Sequence, residues 1–350
     1  MSLRVAVVGA TGAVGSTMLK VMGERRFAAD EVVPLASERS AGKKVPYRDG
    51  ELEVRRLADD TIDGFDIALF SAGGGVSRDW APKFRDAGCV VVDNSSAWRM
   101  EPGVPLVVAE VNADALDSHR GIVANPNCST MQMVMALLPI LDAVGIERVI
   151  VSTYQSTSGT GHDAVEELRT QAEAVLGDRK TEASVYPHQI AFNVLPQVET
   201  FKDGDDYTTE ERKMMAETRK ILGEESIAIS ATCVRVPVYN AHSESVNVQT
   251  REDLSPERCR EILGSFPGVV VVDDPAAGRY PMPIDAAGHD EVFVGRIRRD
   301  PSHERCLNLW IVGDNLRKGA ATNAVQVAEQ LVERNLVGAG TAIGSKAFAG

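Results

Sequence analysis

LRVAVVGATGAVGSTMLKVMGE, residues 3–24, opens with a Val-rich apolar run to Val8, turns through Gly9, Gly12 and Gly15, and continues from Ser16 with helical character. An apolar strand, a glycine-rich turn and a helix in that order make the first part of a dinucleotide-binding unit. Small residues let the backbone approach a pyrophosphate, and the unpaired N–H groups at the helix start complement its charge. Gly9, Thr11, Gly12, Ala13, Val14 and Gly15 are the candidate cofactor-binding residues; the plainer alternative is an ordinary tight turn.

Outward from this unit, strand-like runs at residues 31–36, 66–70, 89–92 and 122–124 alternate with helix-compatible stretches such as 76–86. That alternation predicts an α/β fold with a Rossmann-type, doubly wound parallel sheet. The pattern changes after a helix expected over 129–144. The later strand candidates, 148–154, 227–238, 245–250, 291–298 and 306–312, are longer, and some alternate apolar with polar residues. They predict an α+β region with a mixed, largely antiparallel sheet and one face against helices. We expect a first domain over 1–127 completed by a C-terminal helix over 318–336, a second over 128–317, and a frayed tail over 337–350.

At roughly 150 residues per domain, 350 residues suit two domains. Lys and Arg total 37 against 50 Asp and Glu, a net charge of −13 that opposes nucleic-acid binding. No apolar run approaches the roughly 18 residues needed to cross a bilayer, so no membrane role is expected. The five cysteines are widely spaced with no Cys-x-x-Cys pair, which predicts neither disulfides nor a metal site. With no leader-like N-terminus, the expected compartment is reducing and cytoplasmic.

Two readings compete at the end of the second strand, Ala36-Ser37-Glu38-Arg39-Ser40. Glu38 would accept from a free ribose 2′-hydroxyl and favour NAD; Arg39 with Ser37 and Ser40 would hold a 2′-phosphate and favour NADP. NADP is preferred, because a cation flanked by two hydroxyls suits a phosphate. Cys128, in Asn125-Pro126-Asn127-Cys128-Ser129-Thr130, falls at a strand-to-helix junction. A helix N-terminus favours thiolate and offers backbone N–H groups to an oxyanion; the bland alternative is an inert buried cysteine. Arg235 and His242 stand seven apart, which puts them on opposite faces of one strand unless the Pro237 to Ala241 segment breaks it.

GATGAVG (9–15), ASERSAG (36–42), DNSSAWRM (93–100), NPNCST (125–130), YQSTSGTG (154–161), EERKMMAETRKIL (210–222), CVRVPVYNAHSES (233–245) and GDNLRKGAA (313–321) together resemble aspartate-semialdehyde dehydrogenase from Val5 to about Ala328. Ala241 departs from the Gly, Ser or Cys usual before the histidine. The resemblance implies NADP-dependent, phosphate-requiring, reversible oxidation of L-aspartate 4-semialdehyde to 4-phospho-L-aspartate. The second domain would carry catalysis and dimerisation in a homodimer.

By that resemblance Cys128 is the nucleophile, His242 the general base that removes the adduct's hydroxyl proton, and Gln155 the residue that orients the acyl intermediate. Arg235 would grip the substrate carboxylate and Glu210 its ammonium group; Arg99, Asn94 and Lys213 would hold phosphate. Ser158, Gly159 and Asn315 would lie near the nicotinamide end of the cofactor. The nearest competitor is N-acetyl-gamma-glutamyl-phosphate reductase, whose acetylated substrate has no ammonium for Glu210. A silent dinucleotide-binding paralogue has no use for Cys128, Gln155, Arg235 and His242 together.

Overall fold

The computed structural model describes residues 3–337. The chain forms two compact units, one holding it up to Pro126 and again from Ala320, the other Asn127–Gly319.

In the first unit β1 (Arg4–Val8) is buried on both faces. Val5 and Val7 join one apolar cluster, and Ala6 and Val8 join another. Such a strand must be covered on both sides, which is why it reads as a continuous apolar run. α1 (Ala13–Glu24) covers one face through Met18, Leu19 and Met22. The chain continues through β2 (Glu31–Ala36), a hairpin of β3 (Lys44–Tyr47) and β4 (Gly50–Glu53), the two-residue β5 (Arg55–Arg56), and β6 (Ile67–Phe70). α2 (Gly74–Asp86), β7 (Val90–Asp93) and β8 (Ile122–Ala124) follow. The six-stranded sheet has the order β5-β2-β1-β6-β7-β8, and every pair in it is parallel. α2 covers the second face through Ala81 and Phe84.

The second unit begins with α3 (Cys128–Val144) and β9 (Ile146–Gln155), then α4 (His162–Leu176), α5 (Thr209–Leu222), β10 (Ala228–Arg235) and β11 (His242–Thr250). α6 (Pro256–Gly264), β12 (Val269–Val271), α7 (Pro283–Ala286), β13 (Val292–Arg299) and β14 (Cys306–Gly313) complete it. Its sheet runs β10-β9-β11-β14-β13-β12. The three central pairings are antiparallel and the two outer ones, β10·β9 and β12·β13, are parallel. Along β9, Val149, Val151, Thr153 and Gln155 are buried, while Tyr154 on the other face is exposed. Tyr154 lies against Trp310 with ring centroids 5.4 Å apart.

α8 (Asn323–Glu333) belongs to the first unit and buries Ala324, Val325, Val327, Ala328 and Leu331 in the cluster beneath α1. The helix expected over 318–336 is not α-helical throughout: Arg317–Thr322 forms π turns that run directly into α8. Of the expected tail only Val337 is described; 338–350 lie outside the described residues.

Glu244, in β11, is fully buried with both carboxyl oxygens lacking a hydrogen-bond partner. Burial pushes its carboxyl well above the ordinary range, against a smaller opposing effect of the Gln132 amide. The unfolded chain releases this proton near the ordinary carboxylate value while the fold retains it, so its effect destabilises the fold as pH rises above that value. Glu244→Gln should therefore gain stability relative to the parent on going from pH 5 to pH 8. Urea midpoints of the two proteins at both pH values check this.

Candidate active site

β9 and β10 end side by side, with Gln155 and Arg235 paired in register, and β11 starts beside the end of β9 with Ser243 opposite Tyr154. Gln155, Arg235 and His242 are thereby gathered at one end of the sheet. The seven-residue spacing is resolved because Arg235 closes one strand and His242 opens another. Ala241 makes the join at φ +68°, with its N–H held by Asn315 Oδ1 at 3.0 Å. A non-glycine residue in that left-handed region costs roughly 1–2 kcal/mol.

Cys128 is the first residue of the 17-residue helix α3. Asn127 caps the helix, its Oδ1 accepting from the N–H groups of Ser129 (3.0 Å) and Thr130 (3.1 Å). Two carboxylates of α5 hold Asn127 in turn: Glu217 accepts its backbone N–H at 2.7 Å, and Glu210 Oε1 accepts its amide at 2.8 Å. The same Glu210 oxygen accepts from Gln155 Nε2 at 3.1 Å. Glu210, Glu217 and Gln155 are all buried. Glu210 and Lys213 share a helix face as expected, 3.6 Å apart, and Lys213 also pairs with Glu199. This is no ordinary solvated ion pair, since one partner is enclosed and tied to the residue beside Cys128.

His242 is fully buried. Its Nδ1 receives the Ser156 backbone N–H at 3.0 Å, with Ser156 Oγ also at 3.0 Å. Its Nε2 has no hydrogen-bond partner among the described residues. Burial first, and the Arg235 guanidinium second, hold its imidazolium well below the ordinary histidine range. Arg235 donates from Nη1 to the Ser156 carbonyl at 2.6 Å, while its buried Nε likewise lacks a partner. Tyr186 lies over the guanidinium, 5.9 Å from centroid to Cζ, and is tethered to Thr160 Oγ1 at 3.0 Å. Gly159 lets the two groups approach each other: a Cβ there would sit 3.2 Å from His242 Nε2 and 3.3 Å from Arg235 Nη1. Asn315 Oδ1 accepts from Ser156 Oγ, Ser158 Oγ and Ala241 N–H, so this amide is committed to shaping the loop around His242.

Arg99 and Asn94 belong to the first unit, where Arg99 is buried and donates to the carbonyls of Asn125 (2.9 Å) and Asn94 (2.8 Å). The loop carrying it is anchored by Asp93, which accepts from Ser77 Oγ at 2.5 Å, and Ser77 Oγ accepts from Trp98 Nε1 at 2.8 Å. Asn94 donates to the Phe70 carbonyl and accepts from Asn125, so its amide is largely engaged within the fold. In the glycine loop after β1, Gly9 takes φ +84°, and a Cβ on Gly15 would lie 2.2 Å from the Gly9 carbonyl oxygen. Gly12 starts α1 without a side-chain cap, and the first turn holds no acid. Ser37, Glu38 and Arg39 are exposed, and Glu38 is paired with Arg56 at 3.2 Å.

Residues 4–119 match the semialdehyde dehydrogenase NAD binding domain and 137–318 the semialdehyde dehydrogenase dimerisation domain. The chain is 56% identical over 341 residues to the aspartate-semialdehyde dehydrogenase of Aquifex aeolicus, covering 96% of this chain and 100% of that one. It belongs to the aspartate-semialdehyde dehydrogenase family. The Bacillus subtilis relative of that name is 50% identical, covering 96% and 99%. Aspartate semialdehyde dehydrogenase II of Vibrio cholerae, complexed with ASA, superposes with a TM-score of 0.92 at 47% identity over 95% of this chain and 99% of that chain. As members of this family are named for a dehydrogenase activity, the enzyme class and the α/β architecture expected from the sequence both stand.

In this family member, sequence reasoning missed Ser156, Asn127, Glu217 and Tyr186. Asn127 carried a signal, being a capping residue directly before a helix, and Glu217 repeats the helix face of Glu210 two turns on. Ser156 acts through its backbone, and Tyr186 reaches Arg235 over long sequence separation, so neither showed. Asn127→Ala removes the cap and the Glu210 hydrogen bond. Unfolding free energy should fall by about 1–2 kcal/mol, read from the urea midpoint.

Proposed function

We propose that the chain catalyses the reversible, phosphate-dependent oxidation of L-aspartate 4-semialdehyde to 4-phospho-L-aspartate with NADP. It would run in the reductive direction within lysine (diaminopimelate), threonine and methionine biosynthesis. The observation that carries this reading is a pair of buried, unpartnered nitrogens, Arg235 Nε and His242 Nε2, on groups that flank Gly159 in the unit that bears Cys128. Orphaned buried donors are costly unless a ligand completes them. Arg235 suits the substrate carboxylate and His242 the reacting oxygen. Glu210 Oε2 would take the ammonium group, while its other oxygen holds Gln155, the residue that would orient the acyl group.

The sulfur of Cys128, at the positive end of α3, would attack the aldehyde carbon. Loss of hydride leaves a thioester, and phosphate held by Arg99, Lys213 and Asn94 would attack it to release the acyl phosphate. Bound NADP supplies the hydride acceptor. The residues present fit it: the uncapped start of α1 and the close approach at Gly15 suit a pyrophosphate at Gly9, Thr11, Gly12, Ala13, Val14 and Gly15. Arg39, Ser37 and Ser40 would take the 2′-phosphate, a choice supported by Glu38 being paired with Arg56. By family match Ser158 and Gly159 would serve the nicotinamide end, with Asn315 behind them. A homodimer rests on the dimerisation-domain match.

Reduction of NADP by the purified protein with aspartate semialdehyde should require phosphate and exceed the rate with NAD; activity indifferent to phosphate would sink the acyl-enzyme reading. Arg39→Ala should weaken NADP binding roughly 10- to 100-fold and NAD binding little, by titration, as expected for one charge-assisted contact. Cys128→Ala should lose turnover and keep NADP binding.

A further inference from the structure

Between α4 and α5 the chain runs through residues 182–195 without a helix or a strand, and two side chains of α4 satisfy its backbone. Glu167 and Gln171 stand one turn apart on one face of α4, and both are buried. Glu167 Oε2 accepts from the Ser184 N–H (3.0 Å), the Ser184 hydroxyl (2.6 Å) and the Val185 N–H (2.5 Å), while its Oε1 meets the Tyr186 N–H at 3.5 Å. Burial alone would raise this carboxyl, but those hydrogen bonds outweigh it and hold it below the ordinary range, so it is ionised at neutral pH. Gln171 donates to the Glu182 carbonyl at 2.9 Å and accepts from the Ile190 and Ala191 N–H groups at 2.9 and 3.2 Å. The segment so held closes on Arg235 twice. Leu195 exchanges both backbone hydrogen bonds with Arg235, at 2.9 and 2.8 Å. Tyr186, packed against the buried cluster of Leu168, Ile190 and Leu195, lays its ring over the guanidinium. With Nη1 committed to the Ser156 carbonyl and one face under the ring, the buried Nε edge is the part of the fork without a partner among the described residues.

We propose that Tyr186 is a positioning residue that fixes the plane of the Arg235 guanidinium, and that Glu167, through the 184–186 turn it gathers, holds Tyr186 in that place. The proposal rests on the reading given above in which Arg235 grips the substrate carboxylate. A guanidinium turned out of the carboxylate plane keeps one hydrogen bond and loses the second of a bidentate pair. An aromatic face attracts the cation and offers it no competing hydrogen-bond acceptor. The Tyr186 hydroxyl does not interfere, because it donates to Thr160 Oγ1. A contact to a carboxylate remote from the reacting carbon is made equally in the ground state and the transition state, so its loss weakens substrate binding and leaves turnover largely alone.

Two measurements test this. Tyr186→Leu keeps the apolar packing and removes the aromatic face, whereas Tyr186→Phe keeps both. KM for aspartate semialdehyde should rise about 3- to 30-fold in Tyr186→Leu and stay within about twofold of the parent in Tyr186→Phe, with kcat nearly unchanged in each, the scale of a desolvated cation–π contact. Glu167→Gln offers one acceptor oxygen in place of two and should raise KM in the same direction, an effect that disappears in the Tyr186→Leu background. A loss of kcat in place of the rise in KM, Phe as poor as Leu, or KM effects of Glu167 and Tyr186 that simply multiply overturns the proposal. The second measurement needs no substrate. In protein labelled with ¹⁵N-arginine, the Nε–H signal of Arg235, assigned by its loss in Arg235→Lys, should exchange with solvent faster in Tyr186→Leu and in Glu167→Gln and at the parent rate in Tyr186→Phe; equal exchange in all four proteins also overturns it. If the parent itself fails to oxidise aspartate semialdehyde, the assigned reaction falls, and the exchange rates then decide the positioning role alone.

Discussion

Asn127, Ser129 and Thr130 at the start of α3 are buried around the half-buried Cys128, and their backbone N–H groups must find acceptors within the fold. That requirement organises the catalytic unit. Asn127 takes two of those N–H groups with one oxygen, and α5 answers with two carboxylates, one on the Asn127 backbone and one on its side chain. The helix that carries Cys128 is thereby tied to the helix that carries Glu210. Because Glu210 also holds Gln155, the end of β9 is drawn into the same network. A change at any of these positions strands a buried polar group, so cysteine, acid and glutamine keep a common geometry.

A second network at the same end of the sheet obeys the same rule with a different outcome. Around His242, the Ser156 backbone, Ser158, Asn315 and the Ala241 N–H satisfy one another, and Asn315 Oδ1 is the shared acceptor. Among the described residues, one nitrogen on His242 and one on Arg235 are left without partners. The strain at Ala241 belongs to this arrangement, since its left-handed conformation presents its N–H to Asn315 and swings His242 into β11.

Elements dominated by local pattern were legible in the sequence. β1 and the glycine loop were readable because a strand buried on both faces is apolar throughout and a phosphate turn needs glycine. α3 and β14 were close to their observed limits for the same reason of strong periodicity. The hairpin β3–β4, the two-residue β5 and the short β12 were not seen, since short edge strands depend on their partners rather than on composition. The π turns before α8 were missed as well. The stretch from 318 reads as ordinary helix, whereas Arg317–Thr322 is π-helical, and Asn323 at the start of α8 is hydrogen-bonded to the backbone of Val107 and Ala109.

By itself the sequence determined the fold class, the glycine loop between β1 and α1, and the strand-to-helix position of Cys128. Those depend on residue type and near-neighbour spacing. Only the tertiary structure decided how they work together. It closed Arg235 and His242 into different strands, set Glu217 and Glu210 on Asn127, laid Tyr186 over Arg235, and aimed a backbone N–H of Ser156 at one nitrogen of His242. Each of these joins residues far apart in the chain or acts through backbone atoms that every residue carries. Spacing and side-chain identity hold no record of them, and the need to satisfy buried hydrogen bonds is met only once the chain is folded.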